Sequence, residues 1–418
     1  MQKINIDVTS EIGKLNAVLI HTPGHEIENV TPENAERALY SDILNLSVAS
    51  GEYNVFRAVL KKFSNVYEVR LLLQELIADV AAKDRLLKKI CKNESIDCIK
   101  SDLAKLPDDV LASQLIEGVP IEKNTLTKFL SNERYQLQPL HNFFFTRDAS
   151  VSINNEILIS KMASVVRERE SIIVESIFND HPLFEGNTFN PIDSPGNISN
   201  VTIEGGDVLI ARDNILVIGI GARTTTQGVD YIIEEFKRKK KTHHIIVQEL
   251  PRTPESFIHL DMVFTFLDYD QCMIYEPVVL NKHSFETVHI EIDNGAVKAI
   301  TECASIIDCL RKLKVDIEPI KCGGDNEEWV QEREQWHSGT NYFALAPGKV
   351  MGYGRNSYTT EALNKKGYEI INGSDVIKDN INIHEIEKCV ITIDGAELSR
   401  GGGGCRCMTM PISREKLS

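Results

Sequence analysis

The feature that most constrains this chain is a layout that returns four times after Pro139. Each time, a polar or acidic residue leads into an apolar run, a short turn and a second apolar run. The four begin near Asp148 (Ala-Ser-Val-Ser-Ile, then Glu-Ile-Leu-Ile), Asp207 (Val-Leu-Ile, then Ile-Leu-Val-Ile), Asp261 (Met-Val-Phe-Thr-Phe, then Gln-Cys-Met-Ile-Tyr) and Asn341 (Tyr-Phe-Ala-Leu-Ala, then Val-Met-Gly-Tyr). Short apolar runs bounded by turn residues read as strand pairs. Helical stretches intervene at 167–178, 231–240 and 304–312. A hairpin plus a helix recurring roughly every 55–80 residues suggests repeated α/β units around an axis. The last strand pair is expected to end at Cys407. Each lead-in residue would then face a common centre, and the carboxylates stand there.

Earlier in the chain, residues 14–20 read as a buried strand. Thr31-Pro32-Glu33-Asn34 reads as a helix start with Pro32 at the first helical position, two helices following as far as Phe63. Val66–Val69 is a short strand. From Leu71 to Asn132 glycine nearly vanishes. Leu71, Leu72, Leu76, Val80, Leu86 and Leu87 form an amphipathic stripe, and Leu106-Pro107-Asp108 opens a further helix. Residues 71–132 are therefore expected to be an all-helical insert in a body made of 1–70 and 133–418.

Composition narrows the function classes. The 418 residues carry 46 basic and 61 acidic side chains, a net charge of −15, which disfavours nucleic acid and anionic membranes as partners. The nine cysteines include no Cys-x-x-Cys pair, and Cys405 and Cys407 are too closely spaced for a structural zinc site. No secretory signal precedes Ile4, and the longest apolar run, 215–222, is too short to cross a bilayer. A reducing, cytoplasmic compartment is the simplest expectation.

Chemistry-bearing residues gather at the lead-ins. Ser399–Pro411 runs through four glycines to Cys407, a loop suited to presenting a nucleophile. His259 and Asp261 open an apolar run, and on a strand they would face the same way. Glu204-Gly205-Gly206-Asp207 allows close backbone approach. Phe143-Phe144-Phe145 adjoins Arg147 and Asp148. Arg167, Arg223, Arg400 and Arg406 stand at loop edges of these segments. Singly, each has a plain structural account: a capped histidine, a solvated turn, a local Arg147–Asp148 ion pair, surface arginines. Together, one thiol, one imidazole and several carboxylates fit a cationic guest. A guanidinium matches carboxylates in fork geometry, and arginines at one end would hold a carboxylate. The implied ligand is a zwitterion, its guanidinium deep and its carboxylate at the mouth.

With these motifs in place, the chain resembles the bacterial arginine deiminases of the guanidine-modifying superfamily. The likeness rests on Glu11–Leu15, Phe145-Thr146-Arg147-Asp148, Glu204–Asp207, His259–Asp261, Glu332–Trp336, Ala346-Pro347-Gly348 and Cys407–Pro411. The resemblance implies a five-bladed, pseudo-symmetric α/β propeller, the pentein fold, with an inserted helical subdomain. It implies hydrolysis of L-arginine to L-citrulline and ammonia by a homo-oligomer, dimer or tetramer, with no metal or organic cofactor. Cys407 would be the nucleophile and His259 the general acid and base. Asp148 and Asp261 would hold the guanidinium, with Glu204 supporting both it and the histidine. Asn142, Arg167 and Arg223 would meet the α-amino and α-carboxylate end, with Phe145 along the aliphatic stem. Arg406, or else Arg400, would be the arginine near the nucleophile. Amidino transfer, hydrolysis of agmatine or dimethylarginine, and an inert arginine sensor are the alternatives. Two departures stand out. Residues 45–50 lack the family's acidic and His-Asp signature. Cys405 replaces a Gly or Pro, raising competition with Cys407 for an oxidant.

Overall fold

The computed structural model describes residues 3–193, 200–281, 285–383 and 385–417. Its plan is one unit used five times. In each unit two antiparallel strands form a hairpin, a helix follows, and a further strand returns parallel to the second. Four units follow chain order. Ser150–Ile153 and Glu156–Ile159 are joined by Asn187–Phe189. Val208–Arg212 and Ile215–Ile220 are joined by His243–Glu249. Phe264–Phe266 and Gln271–Ile274 are joined by Glu318–Lys321. Phe343–Ala346 and Lys349–Tyr353 are joined by Cys389–Ile393.

The fifth unit joins the two ends of the chain. Met410–Arg414 pairs antiparallel with Leu15–Ile20, and Asn65–Glu68 returns beside Leu15–Ile20. The last hairpin is therefore not a local one ending at Cys407. Cys407 lies in the turn before the C-terminal strand, whose partner is near the N-terminus. This closes the ring without leaving a central edge. The first strand of every unit is almost wholly buried, as its place nearest the axis requires.

Helices between the strands begin where side chains can satisfy their free N–H groups. Thr225 and Ser305 accept from Gly228 N and Asp308 N at the starts of Thr226–Lys239 and Ile306–Lys312. Asn45 accepts from Val48 N at the start of Leu46–Phe63. Only that one long helix forms before Phe63. Residues 32–39 are turns, with Leu39 in the left-handed region at φ 62°. Tertiary ties override the Pro32 start signal. Asn142 Nδ2 donates to Ala38 O at 2.7 Å, and the Tyr40 hydroxyl donates to His141 O at 2.7 Å.

Between 69 and 130 the helices Val69–Ile77, Val80–Glu94 and Asp108–Glu117 bury Leu72, Leu73, Leu76, Leu86, Leu87 and Leu111 against Glu168–Asp180. Leu71 and Val80, expected in that stripe, point outward instead. The segment is not purely helical, since Val119–Pro120 pairs with Tyr135–Leu137. One hairpin, Thr287–Asp293 with Ala296–Cys303, lies outside the fivefold plan and extends the second sheet to five strands.

Because the C-terminal strand closes the ring, its fully buried Ile412 should be costly to truncate. Ile412→Ala is expected to lower unfolding stability by about 2–5 kcal/mol in urea titration.

Candidate functional site

Each unit's lead-in is a tight turn, and the five turns converge. Thr146–Ala149 is one helical turn; Gly205–Asp207 and Leu260–Met262 are 3-10 turns; 338–341 and 405–408 are turns. His259 and Asp261 therefore do not lie on a strand, which starts only at Phe264. The expected pairing survives by another route, with both side chains inward and Leu260 buried in the core behind them. The lead-in residues Asp148, Asp207, Asp261, Asn341 and Cys407 hold equivalent places, one to three residues before each first strand.

A cavity of about 250 Å³ opens at this convergence. Asn142, Phe145, Asp148, Arg167, Arg223, His259, Arg400 and Cys407 all line it. Asp148, His259 and Cys407 are buried, whereas Arg400 is partly exposed at the mouth. Tyr40, Asp42, Trp336 and His337 also contribute to the wall.

His259 lies between two carboxylates. Its Nε2 is 2.9 Å from Glu204 Oε2, and its Nδ1 is 3.6 Å from Asp148 Oδ1. Burial opposes a charge on the ring, but Asp148, the Glu204 hydrogen bond and Asp207 outweigh it and raise its pKa to about 9. Burial likewise opposes the Glu204 charge, and His259, Arg223 and Arg167 overcome that to hold it at about 2. Ala163 N donates to Glu204 Oε1 at 2.9 Å, while Arg223 Nη1 stands 4.0 Å from it. At Gly206 a Cβ would sit 2.6 Å from His259 Cγ, so only glycine admits the ring there.

Cys407 has the opposite bias. Burial first, then the charges of Asp261 and Asp148, push its thiol well above the ordinary range. The sulfur is 3.7 and 3.8 Å from the Asp261 oxygens and accepts from Asn341 Nδ2 at 3.2 Å. Asn341 Oδ1 accepts from Arg406 N at 2.9 Å and Cys407 N at 3.2 Å, fixing the turn. Gly404 is needed beside it, because a Cβ would fall 2.6 Å from Asn341 Oδ1.

The remaining calls divide. Glu204, Asp261 and Arg406 stand behind the cavity wall rather than in it. Arg406 is not a contact at the mouth. It is buried, donates to Glu11 at 3.0 and 3.1 Å and to Asp261 Oδ2 at 2.8 Å, and also reaches Val208 O. Of the two candidates, Arg400 is the one at the cavity, gripped by both oxygens of Asp42 at 2.7 and 2.9 Å. Arg167 lines the wall but is engaged, donating to Asp148 Oδ2 and Glu170 at 2.7 Å each. Arg147 forms no pair with Asp148. It turns beneath the site toward Arg406 O, and burial with Arg406 lowers its pKa to about 9. Cys405 is fully buried and off the cavity, and burial drives its thiol upward, so it presents no accessible sulfur.

Asn341 and Glu11 carry functions that residue-type reasoning did not assign. Asn341 was marked by its place, since it occupies the repeat position that elsewhere holds a carboxylate. Atoms of Asp148, Glu204 and His259 lie within 4.8 Å of one another, a spacing that could hold a metal ion and that here surrounds the imidazole.

Comparison with known proteins agrees with this geometry. A family model described as arginine deiminase matches residues 36–414. The arginine deiminase of Listeria monocytogenes serotype 4a is 34% identical, covering 99% of this chain and 98% of its own length. That of Clostridium perfringens (strain SM101) is 33% identical with the same coverage. The chain belongs to the arginine deiminase family. It is thus a hydrolase acting on an amidine carbon. Among solved structures, the product-bound N-terminal domain of ArgZ, an arginine dihydrolase from cyanobacteria, aligns with a TM-score of 0.54 at 14% identity, covering 97% of this chain and 100% of that one. The amidinotransferase SxtG from Microseira wollei aligns at 0.52 and 12%, covering 99% and 98%. Both likenesses establish the pentein fold for this family member. No described helix is long and apolar enough to cross a membrane.

The His259 environment yields a direct test. By NMR titration its imidazolium should lose its proton near pH 9. Glu204→Gln removes one compensating charge and should lower that midpoint by about one unit or more. Since the folded-state value is raised, this group's stabilisation is complete below its ordinary value of 6.5 and disappears as pH rises through about 9.

Proposed function

We propose that this deiminase-family chain hydrolyses L-arginine to L-citrulline and ammonia through a covalent adduct on Cys407. The observation that carries the reading is at the cavity floor. Cys407 and His259 meet there with Asp148 Oδ1, a buried carboxylate oxygen that has no hydrogen-bond donor. An unpartnered buried acceptor is costly, and a guanidinium N–H would satisfy it. Family membership supplies independent support.

The steps follow from the charges. A bound guanidinium brings positive charge between Asp148 and Asp261 and offsets the repulsion that keeps Cys407 protonated. The thiol gives up its proton to solvent, where it is later taken by the released ammonia, and the thiolate attacks the guanidinium carbon. His259, protonated below about pH 9, donates its proton as the C–N bond breaks and ammonia leaves. A thiouronium remains on Cys407. Neutral His259 then takes a proton from water as it attacks that carbon, and the C–S bond breaks to release citrulline and the thiol. Glu204 would support the imidazole, Phe145 would flank the aliphatic stem, and Asn142, Arg167, Arg223 and Arg400 would meet the amino-acid end. Arginines at the wall favour a substrate with a carboxylate, which agmatine lacks. We place the reaction in arginine catabolism in the cytoplasm. Cys272, Cys303, Cys309, Cys322, Cys389, Cys405 and Cys407 form no disulfide, in keeping with a reducing compartment. The same reading treats 71–132 as a helical insert and the remainder as the catalytic body.

Citrulline and ammonia should appear when arginine is added in the presence of a chelator. Agmatine and dimethylarginine should be turned over far more slowly. Cys407→Ala is expected to reduce citrulline formation at least about a thousandfold. Mass spectrometry of quenched wild type should place the adduct on the peptide at Cys407 rather than at Cys405. Near wild-type turnover by Cys407→Ala would end the covalent mechanism. In the wild type, kcat/KM should fall about tenfold per pH unit above pH 9, where the imidazolium acid is lost.

A further inference from the structure

His337 stands in the cavity wall, and the steps above give it no part. It follows the helix Glu328–Trp336 and leads into the 338–341 turn of the fourth unit. A second cavity, of about 320 Å³, adjoins its other side, lined by Trp329, Arg333, Arg355 and Tyr358 among others. His337 lines both cavities, whereas Arg355 lines only the second. On that second side His337 Nε2 meets Arg355 Nη2 at 3.3 Å. The same guanidinium donates through Nη1 to Ser399 Oγ at 2.6 Å and to Ala396 O at 3.1 Å. It therefore ties His337 to the loop whose next residue, Arg400, stands at the mouth.

This contact fixes the state of the ring. A guanidinium donates and cannot accept. His337 Nε2 must be the accepting nitrogen, which puts the proton of the neutral ring on Nδ1. A doubly protonated ring would set N–H against N–H. Burial, Arg355 and Arg333 all oppose that cation and lower the pKa to about 4, so the ring is neutral at neutral pH. With Nε2 spent on the second side, Nδ1–H is the polar group left for the first. It is buried and has no hydrogen-bond partner among the described residues. A buried donor without an acceptor is costly, and an acceptor removes that cost. Carboxylates are the stronger acceptors, and the substrate proposed above brings one to this end. We propose that His337 is a specificity-determining residue of the mouth: held by Arg355 in its Nδ1–H form, it donates to the α-carboxylate of the substrate. Arg355 is a positioning residue that acts through the ring. Unlike a further arginine, a neutral donor adds no charge to repel the guanidinium as it enters. This role rests on arginine being the substrate, but the tautomer can be read without any substrate.

Two measurements test it. In NMR of the imidazole nitrogens of the full chain, His337 should show the Nδ1–H tautomer and a titration midpoint well below the ordinary 6.5. Arg355→Met removes the donor and should let the Nε2–H tautomer appear. In kinetics, His337→Ala should raise KM for L-arginine about tenfold with kcat changed less than about twofold. The ratio of kcat/KM for arginine over that for agmatine, which has no carboxylate, should fall by a similar factor. His337→Asn places an amide N–H where Nδ1–H stands and should recover most of the loss. His337→Gln, whose amide reaches the Nε2 position, should not. An Nε2–H tautomer in the wild type overturns the proposal. So does a ratio unmoved by His337→Ala, or a loss that falls on kcat alone. If His337→Ala fails to fold, the Asn and Gln variants decide. If the wild type forms no citrulline, the proposed reaction fails and this role with it. If citrulline forms and the ratio holds, this role fails alone.

Discussion

The guanidinium of Arg406 is the interaction on which the rest of this structure depends. It is buried one residue from the thiol, and it binds residues from separate parts of the ring. Glu11 comes from the N-terminal segment, Val208 O from the second unit and Asp261 from the third, while its own backbone N–H is held by Asn341 of the fourth. Glu11 is kept ionised at about pKa 2, the cost of its burial being exceeded by Arg406 and Arg147. Such a charge is tolerable in a protein interior only when its hydrogen bonds are nearly complete, and removing one partner typically costs about 3–5 kcal/mol. Five units related by pseudo-symmetry have no continuous backbone to fix their angles at the axis. A planar cation with five donors provides that fixing, which a point-like ammonium could not.

The same network sets the chemistry above it. Asp261 spends one oxygen on Arg406, which leaves its remaining charge near Cys407 Sγ. Together with burial, that charge holds the resting thiol protonated. The imidazole beside it is biased the other way, toward the cation. A pair in which sulfur keeps its proton and imidazole keeps its charge is poorly reactive alone. A flat cation between Asp148 and Asp261 would offset the first bias, and by pairing with Asp148 it would also weaken the second, so such a pocket would select by charge before shape.

Much of this was legible because the fold repeats itself. Asp148, Asp207, Asp261 and Asn341 could be aligned from their strand patterns, and that alignment brings distant residues to one centre without knowledge of any contact. The fifth unit was hidden, since its hairpin is made by Leu15–Ile20 and Met410–Arg414 from opposite ends of the chain. Periodicity sees only neighbours in sequence. The lead-in turns were misread for a related reason. His259 and Asp261 at i and i+2 have strand spacing, but a 3-10 turn over 260–262 also delivers both inward. Arg400 and Arg406 cannot be separated from sequence, because they flank the same run of glycines, 401–404, in one loop. Only the positions of Asp42 and Glu11 decide which is at the mouth and which is sealed beneath.

Asp148 shows how the charges of the site are balanced. Its Oδ2 takes a hydrogen bond from Arg167, whose other donors are spent on Glu170 and Asn142 O. Its Oδ1 faces His259 Nδ1 at 3.6 Å, too far for a hydrogen bond, and neither atom has another donor or acceptor. One oxygen is thus committed to holding the wall and the other is left open toward the floor. Filling the open oxygen need not break the wall, because Arg167 retains its two-pronged grip on Glu170. A guest offering N–H groups at the floor would meet the unsatisfied Asp148 oxygen, and a carboxylate at its other end would lie toward Arg223 and toward Arg400, which Asp42 already holds. A neutral guest of the same shape would leave Asp148 uncompensated, and that desolvated charge would oppose its binding.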